Sequence, residues 1–155
     1  MRIRLLAVGT KMPAWVEQGV ETYRKRLPRD FTLEIEEIPL GQRGKNADIA
    51  KARAQEAQRI REKLRGDEIV VALEVKGKPW TTKQLAQEAD GWRMEGRDVV
   101  LLVGGPDGLE PALSAMADKA WSLSPLTLPH PLVRIMLAEQ LYRAWTLLVG
   151  HPYHR

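Results

Sequence analysis

Short apolar runs alternate with amphipathic stretches along the whole chain. Three runs, at residues 3–8, 69–73 and 99–103, are typical of buried strands. Between and after them, apolar residues recur at spacings of three and four, which is the pattern of one helix face. The alternation predicts an α/β fold with a mainly parallel sheet and helices on both faces, built as one domain over residues 1–155.

Capping and turn residues indicate where the other elements begin and end. The predicted elements are a helix after Pro13, a half-exposed strand at 31–35, a helix from an Asn46 N-cap to Gly66, a helix from Thr81 to about Gly91, a helix at 109–119, an irregular segment at 121–128 and a last helix from Pro131 to Gly150. Between the second strand and the second helix, residues 41–45 have the composition of a mobile basic loop.

Composition restricts the class of protein. The 155 residues are 44% hydrophobic and 28% charged, proportions that are ordinary for a globular domain. Cysteine is absent, which excludes disulfides, zinc–thiolate sites and cysteine nucleophiles. The longest strongly apolar runs have five residues, whereas a membrane span needs about 20 and a signal-peptide core about 7–15. We therefore expect a cytoplasmic protein with no membrane partner.

Positive charge is concentrated in the first part of the chain. Residues 1–66 hold 15 Lys and Arg against 9 Asp and Glu, a net charge of +6, and the remainder has a net charge of −2. A basic region of this kind is typical of proteins that bind a polyanion such as nucleic acid. An arginine-rich, well-solvated surface without such a partner is the alternative interpretation.

Ligands of parallel α/β sheets bind outside the carboxyl ends of the strands, so the loops after Leu73, Val103 and Leu123 are the candidate binding loops. The second begins with Gly104 and Gly105, which allow a ligand to approach the backbone closely. The third lies in residues 121–131, where three prolines stiffen an apolar segment whose main-chain groups could read the edge of a flat heterocycle. A tight strand-to-helix turn and a buried connector are the respective structural alternatives.

The last helix and the tail at 151–155 carry the other candidate side chains. Glu139 and Arg143 lie four residues apart, a spacing that also forms ordinary intrahelical ion pairs. In the tail, an aromatic residue, a histidine and an arginine suit an unpaired base and its phosphate, although many such tails are disordered. His151 and His154 have no acidic or cysteine companion nearby, so no metal site is expected. A structural role is predicted for His130.

Seven ordered motifs resemble the bacterial ribosomal RNA large subunit methyltransferase H family. They are AVGTKMP at 7–13, GQRGKNAD at 41–48, GKPW at 77–80, LLVGGPDGL at 101–109, SLSPLTLPHPLVR at 122–134, EQLYRAW at 139–145 and HPYHR at 151–155. The resemblance covers the chain from the first residue to the last and implies the SPOUT class, with a C-terminal trefoil knot and a homodimer. It also implies S-adenosyl-L-methionine as the cofactor and N3 of a pseudouridine in helix 69 of 23S rRNA, within the ribosome, as the methyl acceptor.

The resemblance further implies which residues bind and react. The cofactor positions carry over to Leu73, Gly104, Leu123, Ser124, Pro125, Leu126, Thr127 and Leu128. Tyr153 and His154 become candidates for holding the pseudouridine, with His154 as proton acceptor, and Glu139 and Arg143 become candidates from across the dimer interface. We expect Gly104→Val to block the cofactor without unfolding the protein. A non-catalytic ribosome-binding factor and a nucleotide-binding α/β enzyme remain as alternatives.

Overall fold

The computed structural model describes residues 1–44 and 48–154, in which strands and helices alternate as the hydrophobic pattern predicts. The strands are β1 (Arg2–Val8), β2 (Thr32–Ile38), β3 (Ile69–Pro79), β4 (Val99–Val103) and β5 (Lys119–Ser122). The helices are α1 (Ala14–Arg24), α2 (Ile49–Lys63), α3 (Thr82–Glu95), α4 (Pro111–Met116) and α5 (His130–Val149), followed by one 3₁₀ turn at Pro152–His154. No helix in these ranges is long and apolar enough to cross a membrane.

All paired strands of the sheet are parallel, in the order β2-β1-β4-β3-β5. Leu5 of β1 and Val71 of β3 both pair with Leu101 of β4, so the three apolar runs form the centre of the sheet. Central parallel strands are covered on both faces, which explains why they are continuously apolar rather than alternating. The prediction of a mainly parallel sheet is confirmed.

Helices cover both faces of the sheet, also as predicted. One face, which includes Leu5 and Leu101, packs against α1, α3 and α5 in the larger core. The opposite face, which includes Leu6 and Leu102, packs against α2 and α4 in a smaller core. Because successive residues of a strand point to opposite faces, each apolar run supplies both cores.

A charged pair is buried at the amino-terminal half of β1. Arg4 is 2% exposed, and its guanidinium donates to both carboxylate oxygens of Glu68, at 2.9 and 2.6 Å. It also donates to the Lys63 carbonyl at 2.8 Å and contacts Glu36 at 3.3 Å. The arginine thereby connects β1 to the end of α2 and to the entry of β3.

Boundaries of α2 and α3 differ from the prediction. The second helix ends at Lys63 with Leu64 as its C-cap, not at Gly66. Asn46 lies outside the described residues, and the side chain that caps α2 is Asp48, which accepts from the Lys51 amide at 3.2 Å. The helix capped by Thr81 continues to Glu95, because Gly91 is tolerated inside the helix and the left-handed C-cap is Gly96. The predicted cap at Gly150 is confirmed, with φ of 74°.

The predicted helix at 109–119 is wrong at its carboxyl end. Only Pro111–Met116 is helical, and Lys119–Ser122 form the edge strand β5. This strand is short and half exposed, with only Trp121 and Ser122 buried, so it has no apolar run to reveal it. Likewise, β3 does not end at Leu73: its polar continuation pairs with β5 after a register shift between Leu73 and Lys78.

Candidate active site

A cavity of about 880 Å³ opens at the carboxyl ends of β4 and β5, beside the register shift in β3. The three loops predicted to bind a cofactor converge on it. The predicted residues that line the cavity are Leu73, Gly104, Leu123, Ser124, Leu126, Thr127 and Leu128. Pro125 belongs to the same segment but is not among the lining residues. The fold therefore assembles one concave site from three separate segments between Leu73 and Leu128.

Residues 104–108, which follow β4 and which we call the glycine turn, are closed by a hydrogen bond within the turn. The Gly108 amide donates to the Gly105 carbonyl at 3.0 Å, and Gly108 has a φ of 78°, a conformation that favours glycine. A Cβ atom added at Gly104 would lie 2.5 Å from the carbonyl carbon of Gly108. The expectation that Gly104→Val acts only by filling cofactor space is therefore wrong, because a side chain there would first displace the turn.

An arginine from the basic loop anchors this turn. Arg43 donates to Asp107 in the turn at 2.9 Å and to the buried Glu56 of α2 at 2.6 Å. Glu56 also accepts the Gly41 amide at 2.9 Å. In the described part of the loop, Gly41 and Arg43 are thus hydrogen-bonded to α2 and to the glycine turn, contacts that the composition of the loop does not predict. Lys45 lies outside the described residues.

The proline-rich segment forms the apolar wall of the cavity. Leu123 and Leu128 pack on the larger core, whereas Leu126 is 69% exposed. Ser124 stabilises the bend, since its hydroxyl accepts the Leu126 amide at 2.9 Å. Within the described chain, the main-chain groups of residues 125–128 make no backbone–backbone hydrogen bond. Apart from the Leu126 amide, which is bonded to Ser124, they are therefore available to pair with a ligand.

His130, at the start of α5, lines the same cavity. Its Nδ1 is buried and has no hydrogen-bond partner among the described residues. Burial lowers the pKa of His130 below its ordinary value, and the nearby Arg134 guanidinium lowers the pKa further. The imidazole is accordingly neutral at pH 7. The structural role predicted for His130 does not exclude a place in the cavity wall.

Three of the four predicted catalytic residues, Glu139, Arg143 and Tyr153, contact one another on the second half of α5 and the tail, and His154 follows Tyr153 in the chain. Arg143 donates to Glu139 Oε1 at 2.7 Å, and the Tyr153 hydroxyl donates to the same oxygen at 3.2 Å. The Arg143 guanidinium lies 5.0 Å from the centre of the Tyr153 ring. Glu139 and Arg143 thus form the intrahelical ion pair, and both residues also contact Tyr153 of the tail. We call Glu139, Arg143, Tyr153 and His154 the tail cluster.

The described part of the tail is folded onto α5. The Tyr153 ring lies 4.6 Å from that of Tyr142, and the Tyr153 amide donates to His151 Nδ1 at 3.1 Å. Burial, and after it the Glu139 carboxylate, raises the pKa of the Tyr153 phenol, which therefore stays protonated. His154 Nδ1 is buried without a described partner. Arg155, predicted to contact phosphate, lies outside the described residues.

The cavity and the tail cluster are far apart within one chain. An α-helix rises 1.5 Å per residue, so Glu139 lies about 13 Å and Arg143 about 20 Å along α5 from His130 in the cavity wall. These distances exceed the reach of any side chain. The predicted binding and catalytic residues therefore form two sites rather than one in the single chain.

Several polar residues of the cavity were missed in the sequence. They are Arg53, Glu74, Lys76 and Asp107. For Glu74 a signal exists, since it follows directly on a buried apolar run that points towards a candidate binding loop. Arg53 has no such signal, because it lies on a helix whose relation to the glycine turn depends on tertiary packing. Among the described residues, no cluster of three or more acidic, histidine or cysteine side chains could hold a metal ion.

Comparisons with known proteins connect this arrangement to one family. The model of the family described as "Predicted SPOUT methyltransferase" matches residues 1–154. Proteins named "Ribosomal RNA large subunit methyltransferase H" are 64% identical in Chromohalobacter salexigens and 63% identical in Hahella chejuensis. Both matches cover 100% of this chain, and 100% and 99% of the respective relatives.

Solved structures show the same fold at low sequence identity. A probable methyltransferase from Bordetella pertussis has a TM-score of 0.58 at 16% identity and covers 92% of this chain and 95% of its own. A probable methylase family protein from Haemophilus influenzae has a TM-score of 0.56 at 11% identity and covers 99% and 70%. The chain therefore belongs to the SPOUT methyltransferase family, together with the proteins named ribosomal RNA large subunit methyltransferase H.

Proposed function

We propose that this enzyme transfers the methyl group of S-adenosyl-L-methionine to N3 of a pseudouridine in helix 69 of 23S rRNA, on assembled ribosomes in the cytoplasm. The observation that carries the proposal is the full-length identity of 64% with a relative named as a ribosomal RNA large subunit methyltransferase. The convergence of the three candidate loops on one cavity supports it independently.

The cavity fits such a cofactor in size and chemistry. A volume of about 880 Å³ lies within the range of about 300–1,000 Å³ that is usual for small-molecule sites. Leu123 and Leu128 provide an apolar wall for the adenine, and the main-chain groups of residues 125–128, apart from the Leu126 amide, can bind its edge. The glycine turn lets the backbone approach the ligand closely. When bound, the cofactor supplies an electrophilic methyl group.

The tail cluster suits the methyl acceptor. The imide N3–H of a pseudouridine is a poor nucleophile until its proton leaves, and we assign the acceptance of that proton to His154. The ring of Tyr153 can stack on the base. Glu139 and Arg143 fix the orientation of the Tyr153 ring. Much of the rate enhancement then comes from holding the two reactants together.

A homodimer would bring the two sites together. Two antiparallel copies of α5, related by a two-fold axis, would place the start of one helix beside the end of the other. The cavity of one protomer would then be completed by the tail cluster of its partner. Apolar side chains exposed near the two ends of α5 support this arrangement, since Leu132 is 41% and Val149 50% exposed.

The C-terminal trefoil knot belongs to the same proposal. The chain pairs at the edge of the sheet as β5, then returns as α5 to pack between α1 and α3 on one face. A return of this kind is compatible with threading of the C-terminal segment through the loop region around the cavity. The close packing of the Gly77 backbone on β5 is consistent with it, since a Cβ at Gly77 would lie 2.8 Å from the Ala120 carbonyl carbon.

Transfer of a labelled methyl group tests the function. Labelled S-adenosylmethionine is incubated with the protein and with intact ribosomes, free large subunits or naked rRNA, and the modified nucleoside is identified after digestion. We expect label at N3 of one pseudouridine with intact ribosomes. Binding of a nucleoside triphosphate in place of the cofactor, or binding to ribosomes without any transfer, would support one of the two alternative functions instead.

A further inference from the structure

Glu74 differs from the other acidic side chain of the cavity in its partners. In the described part of the chain its carboxylate accepts one hydrogen bond, from the Ser114 hydroxyl of α4, and forms no ion pair. By contrast, the other acid in the cavity, Asp107, is paired with Arg43 at 2.9 Å. Glu74 thus has an oxygen free to accept a hydrogen bond from a ligand.

The sheet places Glu74 beside the glycine turn. β3 and β4 are neighbours whose register ends at Ala72 opposite Leu102, so Glu74 lies two residues beyond the ladder, at the level of Gly104. Neighbouring strands are about 4.8 Å apart. Ser114, on α4, fixes the carboxylate from the side of the smaller core. The free oxygen and the closely approachable backbone therefore face the same volume.

We propose that Glu74 accepts hydrogen bonds from the ribose hydroxyls of the adenosine moiety, and that Ser114 positions its carboxylate. In dinucleotide-binding α/β folds, an acidic residue close to a glycine-rich turn accepts a hydrogen bond from a ribose hydroxyl. A carboxylate can accept from both hydroxyls of the vicinal diol at once, and the carboxylate of Asp107, the other acid in the cavity, is already paired with Arg43. This inference rests on the proposed function, since it assigns a contact to the same cofactor.

A ligand series separates this role from others. Binding is measured by calorimetry for S-adenosylmethionine, for 5′-methylthioadenosine, which lacks the charged groups, and for 2′,3′-dideoxy-5′-methylthioadenosine, which also lacks the diol. The unmodified protein should bind methylthioadenosine more tightly than its dideoxy form by about 10- to 100-fold. Glu74→Ala should weaken the two ligands that have the diol and leave the dideoxy ligand unchanged, so that the preference disappears.

Controls keep the result interpretable. Glu74→Gln should retain part of the preference, because its amide oxygen still accepts a hydrogen bond, and Ser114→Ala should reduce the preference less than Glu74→Ala. Glu88→Gln removes a carboxylate paired with Lys119, away from the cavity, and should change none of the three affinities. Thermal unfolding of each variant, without ligand, verifies that the fold is retained.

Other outcomes would overturn the inference. If Glu74→Ala weakens only S-adenosylmethionine, the carboxylate faces the charged methionyl part rather than the ribose. If all three ligands weaken equally, the residue supports the cavity wall and contacts no hydroxyl. Failure of the unmodified protein to bind S-adenosylmethionine at all would contradict the proposed function itself, which is a separate result.

Discussion

The phenolic oxygen of Tyr153 lies 3.2 Å from Oε1 of Glu139, so the last turn of the described chain is bonded to the middle of α5. The same carboxylate oxygen accepts from Arg143 at 2.7 Å. A residue near the end of a chain is usually mobile unless other groups hold it. Here a hydrogen bond, an arginine over the ring and the Tyr142 ring hold it in place. The described part of the tail is thereby held against α5.

Removal of residues 151–155 should abolish methyl transfer and change cofactor affinity little. Glu139 and Arg143, which Tyr153 contacts, lie about 13 and 20 Å along α5 from His130 in the cavity wall, so loss of the tail leaves the cofactor loops intact. Calorimetry with S-adenosylmethionine and methyl transfer to ribosomes measure the two effects. Tyr153→Phe, which retains the ring but loses the bond to Glu139, should be less impaired than Tyr153→Ala. Full activity of the truncated protein would show that the tail has no role.

Two glycine-to-alanine substitutions should change stability in opposite directions. Gly104→Ala should lower the free energy of unfolding and weaken cofactor binding, because the new Cβ would lie 2.5 Å from Gly108 backbone. Gly91→Ala, inside α3 with no atom within 4 Å of the new Cβ, should stabilise the protein by about 0.5–1 kcal/mol. Urea denaturation measures both. Equal stability of the two variants would contradict the packing described for the glycine turn.

The buried ion pair should be the most sensitive charged contact of the fold. Glu68→Ala leaves Arg4 buried with its main partner gone, and removing one partner of such a pair costs about 3–5 kcal/mol of unfolding free energy. The matched control is Glu21→Ala, which removes an exposed pair with Arg24 and should cost at most about 1 kcal/mol. If Glu68→Ala lowers the free energy of unfolding no more than Glu21→Ala does, Arg4 is not buried in an ion pair as described.

The free energy of unfolding should fall in mildly acidic solution because the buried His130 resists protonation in the folded state. Its folded pKa lies below the unfolded value of about 6.5. Above pH 6.5 both states are neutral; below it the unfolded state binds a proton first, so the free energy of unfolding falls as pH decreases. His130→Gln should show a smaller decrease between pH 7 and pH 5 in urea titrations. An identical decrease in the variant would assign the effect to other groups.

Most of the fold follows from the sequence because apolar runs and helical periodicity identify the central elements. The central strands β1 and β4 and the helices α1, α3 and α5 are predicted close to their observed positions. The failures occur where local pattern carries little information. β5 is a four-residue edge strand with two exposed positions, and the second half of β3 is polar. Pairing between distant segments, rather than hydrophobic periodicity, determines these parts.

The sequence predicts the loops that line the cavity but not the contacts between distant segments of the candidate site. Glycine and proline at strand ends identified the cavity loops, because these residues have backbone properties that others lack. The salt bridge from Arg43 to Asp107 was not predictable, since its partners are 64 residues apart and meet only through tertiary packing. The separation of the cavity from the tail cluster likewise depends on the length and direction of α5. Composition alone does not separate the cavity residues from the residues of the tail cluster.

Mixed dimers test most directly the claim that one active site is built from two chains. Thr127→Trp, in the cavity, and Tyr153→Ala, in the tail cluster, should each be inactive alone. After the two proteins are unfolded and refolded together, random pairing gives mixed dimers with one intact site, and methyl transfer should recover to about a quarter of the unmodified level. Sedimentation verifies that dimers have formed. Mixed dimers that remain inactive would contradict the shared site.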